Sequence, residues 1–265
     1  MLSEKLVFTQ LESKSLEIAE SANYDITIDA SGLLFFNLKD ASKVNFNFHI
    51  LDNVQARIIF WNEGVHNAEV SEHYEVGRDA NLNIIYGELS DGSLVRSAIA
   101  NLRQGSEVLV EGASITASNK RQTFIANHLE KYTTSNLNNY GIVTDGGEFF
   151  LDVTGKIFED AVGSKAHQDS KILTLSENQK TQVIPQLLIY ENDVEASHAA
   201  TVGQVDEMQL YYMQSRGLSE MEATSLLMSG YLLPIARAIE DEELRVHVQE
   251  LIADKVDEIC SIDKK

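Results

Sequence analysis

The sequence predicts an all-β body built as a solenoid, followed by a small α-helical subdomain. Three observations carry that prediction. Short runs alternating apolar and polar residues recur at roughly 10 to 12 residue intervals, turn-forming residues separate them, and the period changes from strand-like to helical after Gly203. The expected division is a β-helix body over 1–203 and a helical subdomain over 204–265.

The strand-like runs are Tyr24–Ile28, Leu33–Leu38, Val44–Ile50, Val54–Phe60, Asn81–Tyr86, Leu94–Ile99, Glu107–Val110, Asn138–Val143, Phe149–Val153, Lys171–Leu175 and Val183–Tyr190. In one of them Val44, Phe46, Phe48 and Ile50 alternate with Asn45, Asn47 and His49, which places one row inside and one outside. Ser31-Gly32, Asp52-Asn53, Asn62-Glu63-Gly64, Asp91-Gly92, Asp145-Gly146-Gly147 and Asn192-Asp193 supply the turns. Such spacing suits a sandwich, a barrel or a solenoid of parallel coils. The many strands, the irregular turns and the presence of only two prolines favour the solenoid, since proline interrupts a ladder. Before Asn23, residues Leu11–Glu20 read equally as helix or as first coil.

Beyond Gly203, Asp206 caps a helix to about Gln214, and Ser215-Arg216-Gly217 ends it. Ser219-Glu220-Met221-Glu222 is a capping box that starts a second helix at Glu220. That helix is expected to stop near Gly230, with Pro234 in the first turn of the next segment. A last helix, Asp241–Ile259, gathers Leu244, Val248, Leu251, Ile252, Val256 and Ile259 on one face. Helices this short are expected to lean on the β body.

A formal charge of −20, from 41 acidic and 21 basic side chains, repels polyanions, so nucleic acid and anionic membranes are poor partners. No apolar run is long enough for a membrane helix. Met1–Phe8 lacks the layout of a secretory signal and Cys260 is the single cysteine, which together imply a cytoplasmic location. Phosphate-loop, dinucleotide, zinc-protease and Cys-x-x-Cys motifs are missing, so no enzyme activity is expected. Gly146-Gly147 reads as a turn.

Among the histidines, His49 and His247 read as surface or packing residues. His66 and His73, with Glu69, Glu72 and Glu75, form a group able to gather around a divalent ion, set against the plainer reading of a charged loop and strand. His167-Gln168-Asp169 and His198 lie among small residues, where an imidazole reaches a neighbour or ligand without crowding. On chemistry alone both readings of His198, structural hydrogen-bonder and ligand or base, stand. Cys260, in the frayed end of the last helix, carries no function.

The run Val194-Glu195-Ala196-Ser197-His198-Ala199-Ala200-Thr201-Val202-Gly203, then Asp206–Ser219 and Glu222-Ala223, resembles the C-terminal signature of the SufB/SufD family, scaffold subunits of the SUF iron–sulfur assembly machine. Gly155–Phe158, Gln168, Leu173–Ser176, Pro185–Leu187 and Tyr190–Val194 are similar to the family's preceding block. The resemblance implies a right-handed parallel β-helix with a helical subdomain, docking of a SufC-type ATPase through that subdomain, and pairing of two scaffold chains near their last coils. It implies a homodimer or a pairing with a SufB-like paralogue. It makes His198 the candidate metal and cluster or interface residue, with a transient iron–sulfur cluster and no tightly bound cofactor, and places ATPase binding on Met208, Tyr211, Tyr212, Arg216, Gly217 and Leu227, within Met208–Leu233. Two departures stand out. Ala196 sits where SufD chains can carry cysteine, and the β body has no cysteine at all. The chain is also shorter than a usual SufB or SufD, which implies that their N-terminal helical domain is missing. The competing readings are a carbohydrate-active parallel β-helix enzyme, disfavoured by a single tryptophan, Trp61, and a family member kept only for structural pairing.

Overall fold

The structure, a computed structural model, describes residues 2–9, 13–39, 43–62, 64, 67–237, 239 and 241–262. In chain order the strands are β1 (Leu2–Phe8), β2 (Ser13–Ile18), β3 (Ala22–Ile28), β4 (Gly32–Leu38), β5 (Lys43–Ile50), β6 (Gln55–Asn62), β7 (Ala68–Val76) and β8 (Asn81–Glu88). They continue with β9 (Leu94–Leu102), β10 (Glu107–Thr116), β11 (Asn119–His128), β12 (Thr134–Val143), β13 (Glu148–Ile157), β14 (Lys165–Thr174), β15 (Lys180–Ile189) and β16 (Glu195–Gln204). Odd strands form one eight-stranded sheet and even strands another, and every pairing is parallel. This alternation defines a two-sheet solenoid, the choice that the many strands, irregular turns and two prolines favour. Of the two readings open for Leu11–Glu20, helix or first coil, the structure shows the coil: Ser13–Ile18 is β2, and Leu11 and Glu12 lie outside the described residues.

The coil lengthens along the chain. Leu2 pairs with Ala22, Val44 with Val70, and Phe149 with Thr181, so the register step grows from 20 to 26 to 32 residues. The extra residues enter the strands and corners. Early strands have 6 or 7 residues and the last seven have 10.

Inward rows fill the lumen. Phe36, Phe46, Phe48, Phe60, Tyr74, Tyr86 and Phe124 form a chain of ring contacts, with Phe48 and Tyr74 stacked at 4.9 Å and Phe60 and Tyr86 at 5.6 Å. Within this apolar column Glu72 and Arg96 are fully buried as an ion pair at 3.4 Å. The Tyr74 hydroxyl donates to Glu72 at 2.7 Å, the Tyr86 hydroxyl also donates to it, and the Arg96 guanidinium lies 4.4 Å from the Tyr86 ring. Burial pushes the Glu72 carboxyl up, against the pull of Arg96 and the two hydroxyls.

β7 and β11 were not among the runs read from sequence, and their inner rows show why. β7 turns Glu72 inward in the middle of the row Ala68, Val70, Tyr74 and Val76, and β11 turns Lys120, Gln122 and His128 inward beside Phe124 and Ala126, so polar or charged side chains interrupt both apolar rows. Lys120 is satisfied by Glu88 at 3.2 Å and by the carbonyls of Ser90 and Ile115, both at 2.6 Å. His128 is held by Thr133 and Ser135, each at 2.8 Å, and burial lowers its pKa to about 4.

Three helices follow: α1 (Glu207–Ser215), α2 (Glu220–Arg237) and α3 (Glu242–Ile262). The expected caps are present. Asp206 accepts from the amide of Met208 at 2.8 Å, Gly217 has φ +98°, and Ser219 and Glu222 exchange backbone-to-side-chain bonds at 2.7 and 3.2 Å. One boundary is corrected. α2 does not stop at Gly230 but runs through Pro234 to Arg237. Its apolar face explains the continuation: Met228, Leu232, Ile235 and Ala236 are buried in one cluster with Phe35, Ile59, Trp61, Ile85, Ala113, Ile115, Ile142 and Leu173 of the even sheet. That burial offsets the backbone hydrogen bond which proline removes. Val248, Ile252, Val256 and Cys260 of α3 join the same cluster, so Cys260 is a buried packing residue instead of part of a frayed end.

Candidate functional site

The solenoid is closed along its length and open at its C-terminal end. β15 and β16 are the last strands of their sheets, so one edge of each has no neighbour within the chain. β16 is exposed at all ten positions. Its register onto β14 aligns Ala166 with Ala196, Gln168 with His198, Ser170 with Ala200 and Ile172 with Val202. Those four β14 residues are buried inner-wall residues. Because side chains at paired positions of a parallel ladder share a face, Ala196, His198, Ala200 and Val202 continue the inner wall into the mouth. On the opposite wall Val183, Pro185, Leu187 and Ile189 continue the row of Leu151, Val153, Gly155 and Ile157. His198 is thus a lumen-side residue with no coil beyond it.

Beneath the mouth the inner wall turns polar. Gln168 is 4% exposed and donates from Nε2 to the Gln186 carbonyl at 2.9 Å. Gln168 Oε1, Ser170 Oγ and Asn139 Nδ2 are buried without a hydrogen-bond partner among the described residues. His167, on the outer face, bonds Ser197 of β16 at 2.8 Å through Nδ1. Two histidines singled out by sequence therefore sit on opposite faces of the last strand pair.

The other residue group read from sequence does not assemble. Glu72 points into the lumen and pairs with Arg96, while Glu69 pairs with Lys43 at 2.6 Å on the outer face. His73 and Glu75 share that outer face at 3.3 Å, and His66 lies outside the described residues. Strand alternation separates neighbours that linear spacing placed together, and no cluster of three or more metal-ligating side chains forms among the described residues. His49 lies on the outer face, 3.4 Å from Asp25. His247 lines a groove with Phe35, Asp241 and Glu243. His128 is the buried histidine that sequence reasoning passed over; Thr133 and Ser135, within seven residues of it, were the signal.

A second open surface lies on the helices. α1 buries none of its residues, and Met208, Tyr211 and Tyr212 are 72%, 67% and 59% exposed. Met208, Gln209, Tyr212 and Met213 of α1 form a shallow apolar groove with Leu227 of α2. Arg216 lies over the Tyr212 ring at 5.2 Å and donates to its hydroxyl at 3.2 Å, which stiffens one rim. Gly217 and Leu218 close α1 onto the carbonyls of Gln214 and Met213. Among the described residues, no helix is long and apolar enough to cross a membrane.

These features define the class: a parallel β-helix with helices packed on one sheet and two surfaces, a strand-pair mouth and a helical groove, left uncovered. The chain belongs to the family described as "SUF system FeS cluster assembly, SufBD core domain", which matches residues 15–231. It is 32% identical over 185 residues to the iron–sulfur cluster assembly protein SufD of Bacillus subtilis, a stretch covering 68% of this chain and 42% of that protein. Against SufD of Escherichia coli the identity is 29% over 107 residues, 40% of this chain and 25% of that protein. An iron–sulfur cluster assembly SufBD family protein of Pyrococcus horikoshii is 36% identical over 88 residues, 33% of this chain and 20% of that protein. The matched stretches span less than half of each of these relatives.

Proposed function

We propose that this chain is a non-catalytic scaffold subunit in iron–sulfur cluster assembly, working in the cytoplasm. It pairs with a second scaffold chain, a copy of itself or a SufB-like paralogue, through β15 and β16, and binds a SufC-type ATPase through α1 and the start of α2. ATP hydrolysis belongs to that partner.

The observation that carries the reading is the exposure of β16 along its whole length. A ten-residue edge strand, paired only with β14 and with no inward-pointing charge, is an aggregation hazard unless another strand covers its outer edge. Family membership supports a scaffold as the cover. Pairing mouth to mouth would enclose His198 of one chain against its partner, where a nascent cluster is a cargo held in transit. With Ala196 on the same wall and no cysteine in the β body, the thiolates such a cluster needs would come from the partner or the sulfur donor.

For the ATPase, the groove of Met208, Tyr212 and Leu227 offers apolar anchors, and Tyr211, Arg216 and Gly217 frame it. Size-exclusion chromatography with a SufC-type ATPase is the test. A stable complex is expected, lost in Tyr211→Ala and Leu227→Asp. A chain that never co-elutes, or whose complex ignores both substitutions, refutes the docking surface. Anaerobic reconstitution with iron and sulfide on the paired scaffold tests the cluster role: His198→Ala is expected to lower cluster absorbance, and equal absorbance would leave His198 structural.

A further inference from the structure

Gln168 is the inner-wall residue of β14 that lies next to His198 in the ladder. Its register partner toward the interior is Leu137 and toward the opening is His198. Adjacent parallel strands lie about 4.8 Å apart, so the amide and the imidazole are nearest neighbours along one row. The Gln186 carbonyl takes the amide nitrogen at 2.9 Å, which fixes which end of the amide is oxygen. That oxygen is buried and unsatisfied among the described residues. Gly155 makes the arrangement possible: a Cβ there would stand 3.2 Å from both Ala166 and Leu187 and 3.3 Å from Gln168 Nε2. A buried acceptor without a donor calls for an explanation.

We propose that Gln168 is the positioning residue for His198, its side-chain oxygen accepting a hydrogen bond from one imidazole nitrogen and so turning the other nitrogen toward the open mouth. An imidazole keeps at least one N–H at all ordinary pH values, so the donor is always present. Fixing which nitrogen carries it fixes which one presents a lone pair to a ligand. Ser170 and Asn139 are the competing donors nearby. They sit at paired positions of adjacent strands, Asn139 opposite Ser170, and neither makes a hydrogen bond to Gln168 among the described residues. The value of this positioning for cluster chemistry rests on the scaffold reading above, but its test does not.

The test is nitrogen-15 spectroscopy of the histidine rings in the full chain, with His198 identified by its loss in His198→Gln. Wild type is expected to show neutral His198 as a single tautomer with two well-separated ring nitrogen shifts. Gln168→Leu and the unbranched Gln168→Met should both move His198 to the averaged shifts of an unrestrained imidazole. Ser170→Ala and Asn139→Leu should leave it unchanged. An averaged His198 in wild type, or an unaltered one in a folded Gln168→Met variant, overturns the proposal, as does loss of the single tautomer in Ser170→Ala. Failure of the scaffold reading would appear in the iron and sulfide reconstitution and would leave these ring signals as they are.

Discussion

The middle coils and the last coil use the same backbone geometry for opposite ends. Between β5 and β11 the inner wall is built from large side chains: Phe46, Phe48, Phe60, Tyr74, Tyr86 and Phe124 are all at or below 1% exposure. In β16 the aligned wall is Ala196, His198, Ala200 and Val202, and all four are exposed. Each middle coil is covered on both sides by its neighbours, so burial rewards large residues there, as in any stacked repeat. The last coil has one neighbour within the chain, so a large apolar row would be a liability in the free monomer. Stability is thus concentrated in the middle, and the end is left for association.

Removing Arg96 should break this comparison most severely. Arg96→Ala strands the Glu72 carboxylate, already strained by burial, beneath two tyrosines with no countercharge. Breaking a buried pair from one side costs about 3–5 kcal/mol. Urea unfolding should show the loss, and a double substitution of Glu72→Leu with Arg96→Met should recover much of it. If Arg96→Ala unfolds at the wild-type urea concentration, the middle coils are not where stability resides.

His128 gives the next largest effect and a pH signature. Burial depresses its pKa from 6.5 to about 4, so the folded chain binds fewer protons than the unfolded chain between those values. The associated stability is therefore present in full above 6.5 and is lost as pH falls toward about 4, by on the order of 3 kcal/mol. His128→Gln, which keeps a donor and an acceptor for Thr133 and Ser135, should flatten that slope in unfolding curves measured across the window. An unchanged slope would show that another group governs acid sensitivity.

Gly87 tests the packing between sheet and helices. A Cβ at this position would stand 2.1 Å from the Trp61 ring, inside the cluster that joins the even sheet to α2 and α3. Gly87→Ala must displace the indole, and overpacking of this kind costs about 1–3 kcal/mol. Near-ultraviolet circular dichroism reports the single tryptophan directly; a spectrum and a melting temperature equal to wild type would mean that the cluster yields without strain.

Much of this architecture can be read from the chain and the remainder has a physical reason for being hidden. Strands with an apolar inner row, such as Val44–Ile50, announce themselves by period two. β7 and β11 do not, because Glu72 interrupts the inner row of the first and Lys120, Gln122 and His128 take most of the second, each with a partner on another strand: Arg96, Glu88, Ser114 and Ser135. The caps at Asp206, Gly217 and Ser219 are local chemistry and were legible. The path of α2 through Pro234 was not, since it depends on a sheet face assembled from residues between 35 and 173. At the mouth, the motif around His198 marks the residue, whereas the inward direction of its row and the buried amide of Gln168 below it emerge only from the strand register.

The smallest expected stability change is the sharpest probe of the comparison. Val202→Asp alters a half-exposed position of β16 and should shift monomer stability by no more than about 0.5 kcal/mol, while His198→Ala, which takes the donor from the buried Gln168 oxygen, should cost about 1 kcal/mol. Their effects on association should nonetheless differ. Val202→Asp places a carboxylate on the inner wall of the mouth, where any covering strand would have to desolvate it, so pairing measured by analytical ultracentrifugation should weaken at least tenfold. His198→Ala removes a side chain without adding charge and should leave most of the pairing intact while changing what the enclosed space can bind. If Val202→Asp instead unfolds the monomer, β16 is part of the core after all. If it leaves pairing untouched, the association surface lies elsewhere, with the groove of α1 and α2 as the remaining exposed apolar surface described here.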